Sequence, residues 1–219
     1  CNFSNETVWE GVIQGGRTYH YNKYKKKGHQ YISDAVDLGA IESEKYDFIL
    51  SCHNIEHIAN PFRALHEWLR VLKDDGILLL VVPHKDGTFD HNRPVTAFGH
   101  LVEDYENDIK EDDMTHLQEI LDLHDYELTP EIESFEFFRK RSLENFENRC
   151  LHHHVFDTEL VVKVFDHLNL KILSADIALP HHIMVIGQKQ KGGKSPDNSR
   201  FTGRHAEYRL SSSFESDRA

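Results

Sequence analysis

Cysteine is scarce: Cys1, Cys52 and Cys150 are three in 219 residues. So small and odd a number argues against a disulfide framework and for a reducing compartment, so the chain is expected in the cytoplasm. No apolar run approaches the ~20 residues that span a bilayer, and no signal-peptide pattern opens the sequence. Positive charge is short as well, with 25 Lys and Arg against 37 Asp and Glu, a formal net charge of −12. The acids are spread along the body, which argues against a nucleic-acid binder, whose phosphate contacts need a basic face. The partner expected is a small-molecule acceptor, with neither nucleic acid nor membrane. A glycine-rich nucleotide loop is also missing, since Gly11, Gly15 and Gly16 follow no apolar strand. Histidine, by contrast, is abundant, at 17 residues.

The chain is organised around Tyr46 to Pro83. Asp47 to Ser51 is a short apolar run of the kind buried in a parallel sheet. Asn60-Pro61 reads as a helix start, with Asn as cap and Pro where a missing N–H costs nothing. Phe62, Leu65, Leu69 and Leu72 recur at three and four, giving one apolar face. Asp74-Asp75-Gly76 is expected to end the helix, with Gly76 in a left-handed turn. Ile77 to Val82 then forms a second buried strand. Strand, crossover helix and strand make a βαβ unit, half of an open α/β sheet.

These residues carry a family resemblance. YDFILSCHNIEH followed by NPFRALHEWLRVLKDDGILLLVVP resembles the second half of a class I S-adenosylmethionine-dependent methyltransferase, of the methyltransferase type 11 kind. Arg70 to Gly76 keeps that family's R-V-L-K-P-G-G phrase, with Asp-Asp in place of Pro-Gly. The resemblance covers residues 30–188 and implies a Rossmann-like, doubly wound sheet. It also implies S-adenosylmethionine as cofactor. The family's first strand and its E-x-G-x-G-x-G loop have no match, and the chain begins at Cys1, so truncation at the N-terminus is expected.

By the same resemblance, residues 30–40 form the third strand and its exit loop. Asp34 is the positional match for the acid that accepts from the adenine amine, beside Ala35, with Asp37 as fallback. Otherwise these two acids cap their own turns. Ser51, Cys52, His53 and Asn54 leave the carboxyl end of the fourth strand, where ligands of such sheets lie, and are placed to touch the cofactor. Glu56-His57 matches the family's acid-histidine pair. The loop after the fifth strand holds His84, Lys85, Asp86, Asp90, His91 and Arg93. It resembles the P-H-K-D-x-T-F-D-H-x-R-P loop of one branch, which points to acceptor binding.

Residues 95–150 are expected to form a helical, lid-like insertion of three helices. These are Val95 to Tyr105, one around Met114 to His124, and one from Thr129-Pro130 with a buried stripe at Ile132, Phe135, Phe138, Leu143 and Phe146. His152 and His154 would face the acceptor on one side of an extended segment and His153 the other. Asp157 should cap a further helix, and the resemblance implies two antiparallel edge strands at 170–177 and 183–188, with Pro180 to His182 in a loop. Residues 1–29 hold at most one edge strand around Tyr19, Tyr21 and Tyr24, and Lys25 to Lys27 read as a solvated turn. Residues 189–219, poor in apolar groups, are expected to be a disordered tail after the domain at 1–188.

The expected activity is methyl transfer to a small polar acceptor of the sugar or sugar-linked class, the sugar element resting on the branch. His84 is the first candidate base, with His57 and His153 next, because histidine titrates near neutrality. Two other readings stay open: a non-catalytic methyltransferase-like binding domain, and a metal-dependent hydrolase built on His53 with His57, or on His152 and His154 with His84 or His91.

Overall fold

A computed structural model describes residues 1–20 and 27–218. Tyr21, Tyr24, Lys25 and Lys26, read above as edge strand and turn, lie outside the described residues. Two small antiparallel pairs come first: β1 (Glu6–Thr7) with β2 (Gly11–Val12), and β3 (Gly16–Tyr19) with β4 (Gly28–Gln30). The segment expected as the third strand of the central sheet does not join it. Gln30 pairs with Gly16, and Ile32 bridges only to Asn2.

The central unit is strand, helix, strand, as periodicity predicts. β5 (Tyr46–Cys52) runs parallel to β6 (Leu72–Pro83), joined by α1 (Pro61–Val71). Asn60 caps α1, its side chain accepting from the Arg63 N–H at 3.0 Å. The helix stops at Val71, earlier than expected, and the left-handed residue is Asp75 (φ 61), not Gly76. Asp tolerates that conformation through local hydrogen bonding. Gly76 is needed for space instead, because a Cβ there would lie 2.8 Å from the Leu72 side chain.

Four further helices follow: α2 (Phe98–Glu106), α3 (Leu117–Leu123), α4 (Phe135–Leu143) and α5 (Asn145–Asn148). Of the stripe expected to be buried here, Phe138 is buried with Ile120, Leu121 and Leu151, whereas Phe135, Leu143 and Phe146 stay about half exposed. The helix begins after Ser134, whose hydroxyl accepts from the Phe137 N–H, and not at Pro130. Asp157 caps α6 (Thr158–His167), and β7 (Leu170–Ala178) and β8 (His182–Lys189) close the sheet.

The strand order is β5-β6-β8-β7, with β8 antiparallel to both neighbours. Leu78, Leu80 and Val82 of β6 join Ile183 and Val185 of β8 in one buried layer beneath Phe62, Leu65, Val161 and Phe165. The other face of β5 leaves Phe48 and Leu50 more than half exposed. Gly187 lets β8 approach α6: a Cβ there would meet the Phe165 ring at 2.6 Å. Gly187→Ala is expected to destabilise the fold by about 1–3 kcal/mol through overpacking. A lower urea midpoint at unchanged slope measures it.

The tail is not the disordered segment that its composition predicts. It continues into α7 (Glu207–Ser211) and α8 (Glu215–Arg218), and buries Phe201, Ala206, Tyr208 and Phe214. Asn198 accepts from the Ile172 N–H and donates to the Leu170 carbonyl, which fastens the tail to β7. A few well-spaced apolar anchors suffice where a sheet edge is there to receive them. Among the described residues no helix is long and apolar enough to cross a membrane, and the three cysteines are unpaired.

Candidate active site at the carboxyl end of the parallel pair

Leaving β5, the chain turns sharply at His53 (φ 47) into a single 3₁₀ turn, Ile55–His57. That turn sets Glu56 and His57 beneath the extended segment 150–156, whose His153 N–H donates to the Glu56 carbonyl at 2.8 Å. Opposite stands the loop after β6. The β7–β8 turn closes the third side, because Pro83 pairs with His182. Three parts of the chain distant in sequence therefore meet at one rim.

The Glu56 side chain is 1 % exposed, with Oε1 at 3.6 Å from His53 Nδ1 and 4.0 Å from His57 Nε2, while Oε2 has no partner. Burial opposes its charge, but His53, His57 and His152 outweigh it and hold the carboxyl below its usual range. His57 Nδ1 lies 3.0 Å from the Leu151 carbonyl. A carbonyl can only accept, so Nδ1 carries the proton and Nε2 keeps a free lone pair. Burial first, then the neighbouring His152, pushes the His57 pKa down to about 4. His57 is thus a neutral imidazole in one tautomer, able to take a proton, with Glu56 placed to stabilise the resulting cation.

His152 is the opposite case. Its Nδ1 lies 2.5 Å from Asp90 Oδ2, and although burial opposes it, that carboxylate and Glu56 raise its pKa. Burial likewise opposes the Asp90 charge, yet His152 and Arg93 take its pKa down to about 2. Arg93, 1 % exposed, bonds Asp90 at 2.9 Å and Glu119 at 2.7 Å, and also donates to the carbonyls of His152 and His153. One edge of the site is therefore an imidazole paired to a buried carboxylate and guanidinium network, and the other a neutral base.

Of the residues singled out from sequence, His53, His57, Asp90, Arg93 and His152 come together here. Ser51 is buried with its Oγ unpartnered, and Cys52 and Asn54 are exposed beside it. His84, the first candidate base, is fully buried. Its ring stacks on Phe214 at 3.9 Å, Nδ1 accepts from the Asp86 N–H, and Nε2 lies 3.4 Å from Asp217. Asp86 is taken by Ser216 of the same tail. His153 is buried with Nε2 on the Asn145 amide, and burial lowers its pKa to about 3. His154 is buried against the Ala59 carbonyl. His91 pairs with Asp125 at 2.8 Å on the outside, and Lys85 lies half buried beside the same loop.

The 34–37 segment does not reach this rim directly. Asp34 lies 3.3 Å from Arg149 and accepts from the Val36 N–H, the Ala35 carbonyl accepts from the Trp68 indole, and exposed Asp37 caps Gly39. Asp37 lines an open polar groove along α1 with Arg63, Glu67 and Tyr105.

Sequence reasoning missed His181 and His182, read as loop. His182 Nδ1 lies 2.8 Å from His53 Nε2, and the His181 ring stands 5.3 Å from that of His53. Their adjacency after Pro180 was visible, but not the strand pairing that delivers them. Two triads here could hold a metal ion, His53–His181–His182 and Glu56–His57–His152, each with ligand atoms within 4.8 Å of one another.

Residues 17–80 match the family described as a methyltransferase domain. Among solved structures, the chain is similar to a possible exported protein from Bordetella parapertussis, at 13% identity and TM-score 0.37, covering 73% of this chain and 43% of that one. It is similar also to the YcgJ protein from Bacillus subtilis, at 16% identity and TM-score 0.32, covering 72% and 69%. The chain thus spans less than half the length of the Bordetella protein. No curated protein matches it in sequence. The matched segment carries β5, the Asn60-capped α1 and most of β6, the residues on which the resemblance to class I S-adenosylmethionine-dependent methyltransferases rests.

Proposed function

We propose that the chain takes part in S-adenosylmethionine-dependent methylation of a small, hydroxyl-bearing acceptor of the sugar or sugar-linked class. The acceptor would sit in the crevice of His53, Glu56, His57, Asp90 and His152. The observation that carries this reading is the pairing of a neutral, tautomer-fixed His57 with an ion-paired His152 under one roof. His57 Nε2 accepts the hydroxyl proton as the acceptor oxygen becomes nucleophilic, and Glu56 stabilises the imidazolium. His152, held by Asp90, donates to a second oxygen of the acceptor and so orients it. Several imidazoles lining one crevice suit an acceptor with neighbouring hydroxyls, since each ring offers a donor, an acceptor or both.

The cofactor's sulfonium would supply an activated methyl group, leaving the protein chiefly to align the reactants. Ser51 to Asn54, with the unpartnered Ser51 Oγ, offer a rim for its nucleoside part. No glycine-rich cradle for the methionine part is assembled at the central sheet among the described residues: Gly11 and Gly16 lie in β2 and β3, which pair in separate two-stranded sheets.

The net charge of −12 supports an uncharged or weakly charged acceptor over a nucleic acid. Calorimetry with S-adenosylmethionine, followed by transfer of a labelled methyl group to a panel of free sugars and sugar nucleotides, tests the reading. Binding heat and labelled product with hydroxylated acceptors are expected. Heat without product across the panel overturns the acceptor class. No heat at all favours the non-catalytic binding domain.

A further inference from the structure

Outside the crevice, a second group of histidines converges on a carboxylate with no hydrogen-bond donor of its own. His100 and Asp104 stand one turn apart on α2 and so share a face. Past α2 the chain reverses through Asp108 (φ 51), with the Ile109 N–H donating to the Asp104 carbonyl, and returns with His116 just before α3. His154 arrives from the extended segment 150–156, which is pinned by the Thr96 and Val155 backbone bond.

His100 Nε2 lies 2.9 Å from His116 Nε2 and 3.6 Å from Asp104 Oδ2. That same oxygen is 3.6 Å from His154 Nε2. One ring nitrogen from each histidine lies within 4.8 Å of the others. Donors sharing a tetrahedral ion at 2.0–2.1 Å stand about 3.3 Å apart, so this spacing needs only small side-chain movements to close on one.

A plain hydrogen-bond network accounts for the group poorly. If His100 and His116 share a proton, both buried Asp104 Oδ2 and buried His154 Nδ1 remain without a partner. The nearby groups do not make up the charge. Burial first, with each one's histidine neighbours, keeps His116 and His154 below the usual imidazole range. Burial, aided by Asp113 and Glu103 against His100, raises Asp104 to about 6. Three imidazoles and one carboxylate are a donor set that a borderline divalent cation takes.

We propose that His100, Asp104, His116 and His154 bind one divalent transition-metal ion of the zinc type. With four protein ligands the site is closed and structural. It ties α2 and the turn before α3 to the segment carrying His152 and His153, the roof of the crevice. His154 Nε2 lies 3.2 Å from the Ala59 carbonyl, so ligation through Nε2 requires its proton to move to Nδ1, which has no other partner.

The test uses the full chain, stripped with a chelator and titrated with Zn²⁺ against a chromophoric competitor. Visible absorption of the Co²⁺ form reports tetrahedral geometry. His116→Gln, His100→Gln and Asp104→Asn remove ligands, while His182→Gln removes one from the separate triad at the crevice mouth. The wild type is expected to take up an equivalent that the first three variants lose, their affinity falling more than about 100-fold, beyond the effect of an outer-shell partner. His182→Gln keeps it. At a hundredfold excess over Kd, Zn²⁺ should raise the wild-type Tm by roughly 5–11 °C. His100 and His116 are partly exposed, and circular dichroism checks each fold, so the variants that remain folded decide. Wild-type protein that takes up no Zn²⁺ overturns the proposal. So does uptake unchanged in His116→Gln and Asp104→Asn, or lost in His182→Gln alone.

Discussion

Arg93→Met is expected to cost about 3–5 kcal/mol, the largest stability loss foreseen for a single change in this chain. Arg93 is 1 % exposed and satisfies Asp90, Glu119 and two carbonyls of the segment that roofs the crevice. Methionine fills the volume yet leaves the 3 % exposed Asp90 with His152 as its remaining ionic partner. For a chain of this size, that loss lowers Tm by roughly 6–20 °C.

The pH dependence follows from the two groups that Arg93 serves. Asp90 is depressed to about 2 in the folded state. Its contribution is therefore full above the unfolded value near ~3.9 and is lost as pH falls toward the folded one. His152 is raised, so its contribution is full below about 6.5 and fades as pH climbs through the higher folded value. The pair supports the fold most between about pH 4 and 6.5. Thermal unfolding of both proteins across pH 3–8 checks this. A variant midpoint within ~2 °C of wild type throughout would mean that the network is not what holds the roof.

His57→Gln should slow methyl transfer by about 10²–10⁴-fold, the usual share of a general base, while leaving cofactor binding unaltered. Glutamine can still donate to the Leu151 carbonyl but offers no basic nitrogen. A base must be neutral to act, and the His57 pKa is about 4. The acid limb of kcat/KM is accordingly expected near pH 4, well below that of an unperturbed histidine near ~6.5. An acid limb at the ordinary value, or a variant as fast as wild type, would remove His57 from the role. His84→Gln offers the contrast: with that ring sealed between Phe214 and Asp217, stability should suffer before the chemical step does.

Local signals served well wherever the cause was local. Apolar runs located β5 and β6, the family resemblance implied β7 and β8, and side-chain capping chemistry located the starts of α1 and α6. The same reasoning slipped where a distant contact decided. The helix expected to run on to Asp74 ends at Val71, and the positive φ went to Asp75 beside a Gly76 reserved for Leu72. The segment at 30–40 found its partners in residues 2 and 16, not in the central sheet. The tail looked too polar to order, because composition does not show that Phe201, Tyr208 and Phe214 have a surface to meet.

What the sequence determined by itself is the βαβ unit with its capped crossover, and the stock of histidines gathered near strand ends. Those follow from period, capping and turn chemistry, interactions within a few residues of each other. Which histidines do what was decided only in three dimensions. Insertion of β8 beside β6 brings His182 to His53, and the bond from His153 to the Glu56 carbonyl seats His152 against Asp90. The tail closes over His84. A proton site depends on which groups share a low-dielectric space, and that sharing is set by pairings across more than a hundred residues (His53 with His182 is 129 apart) that no local pattern encodes.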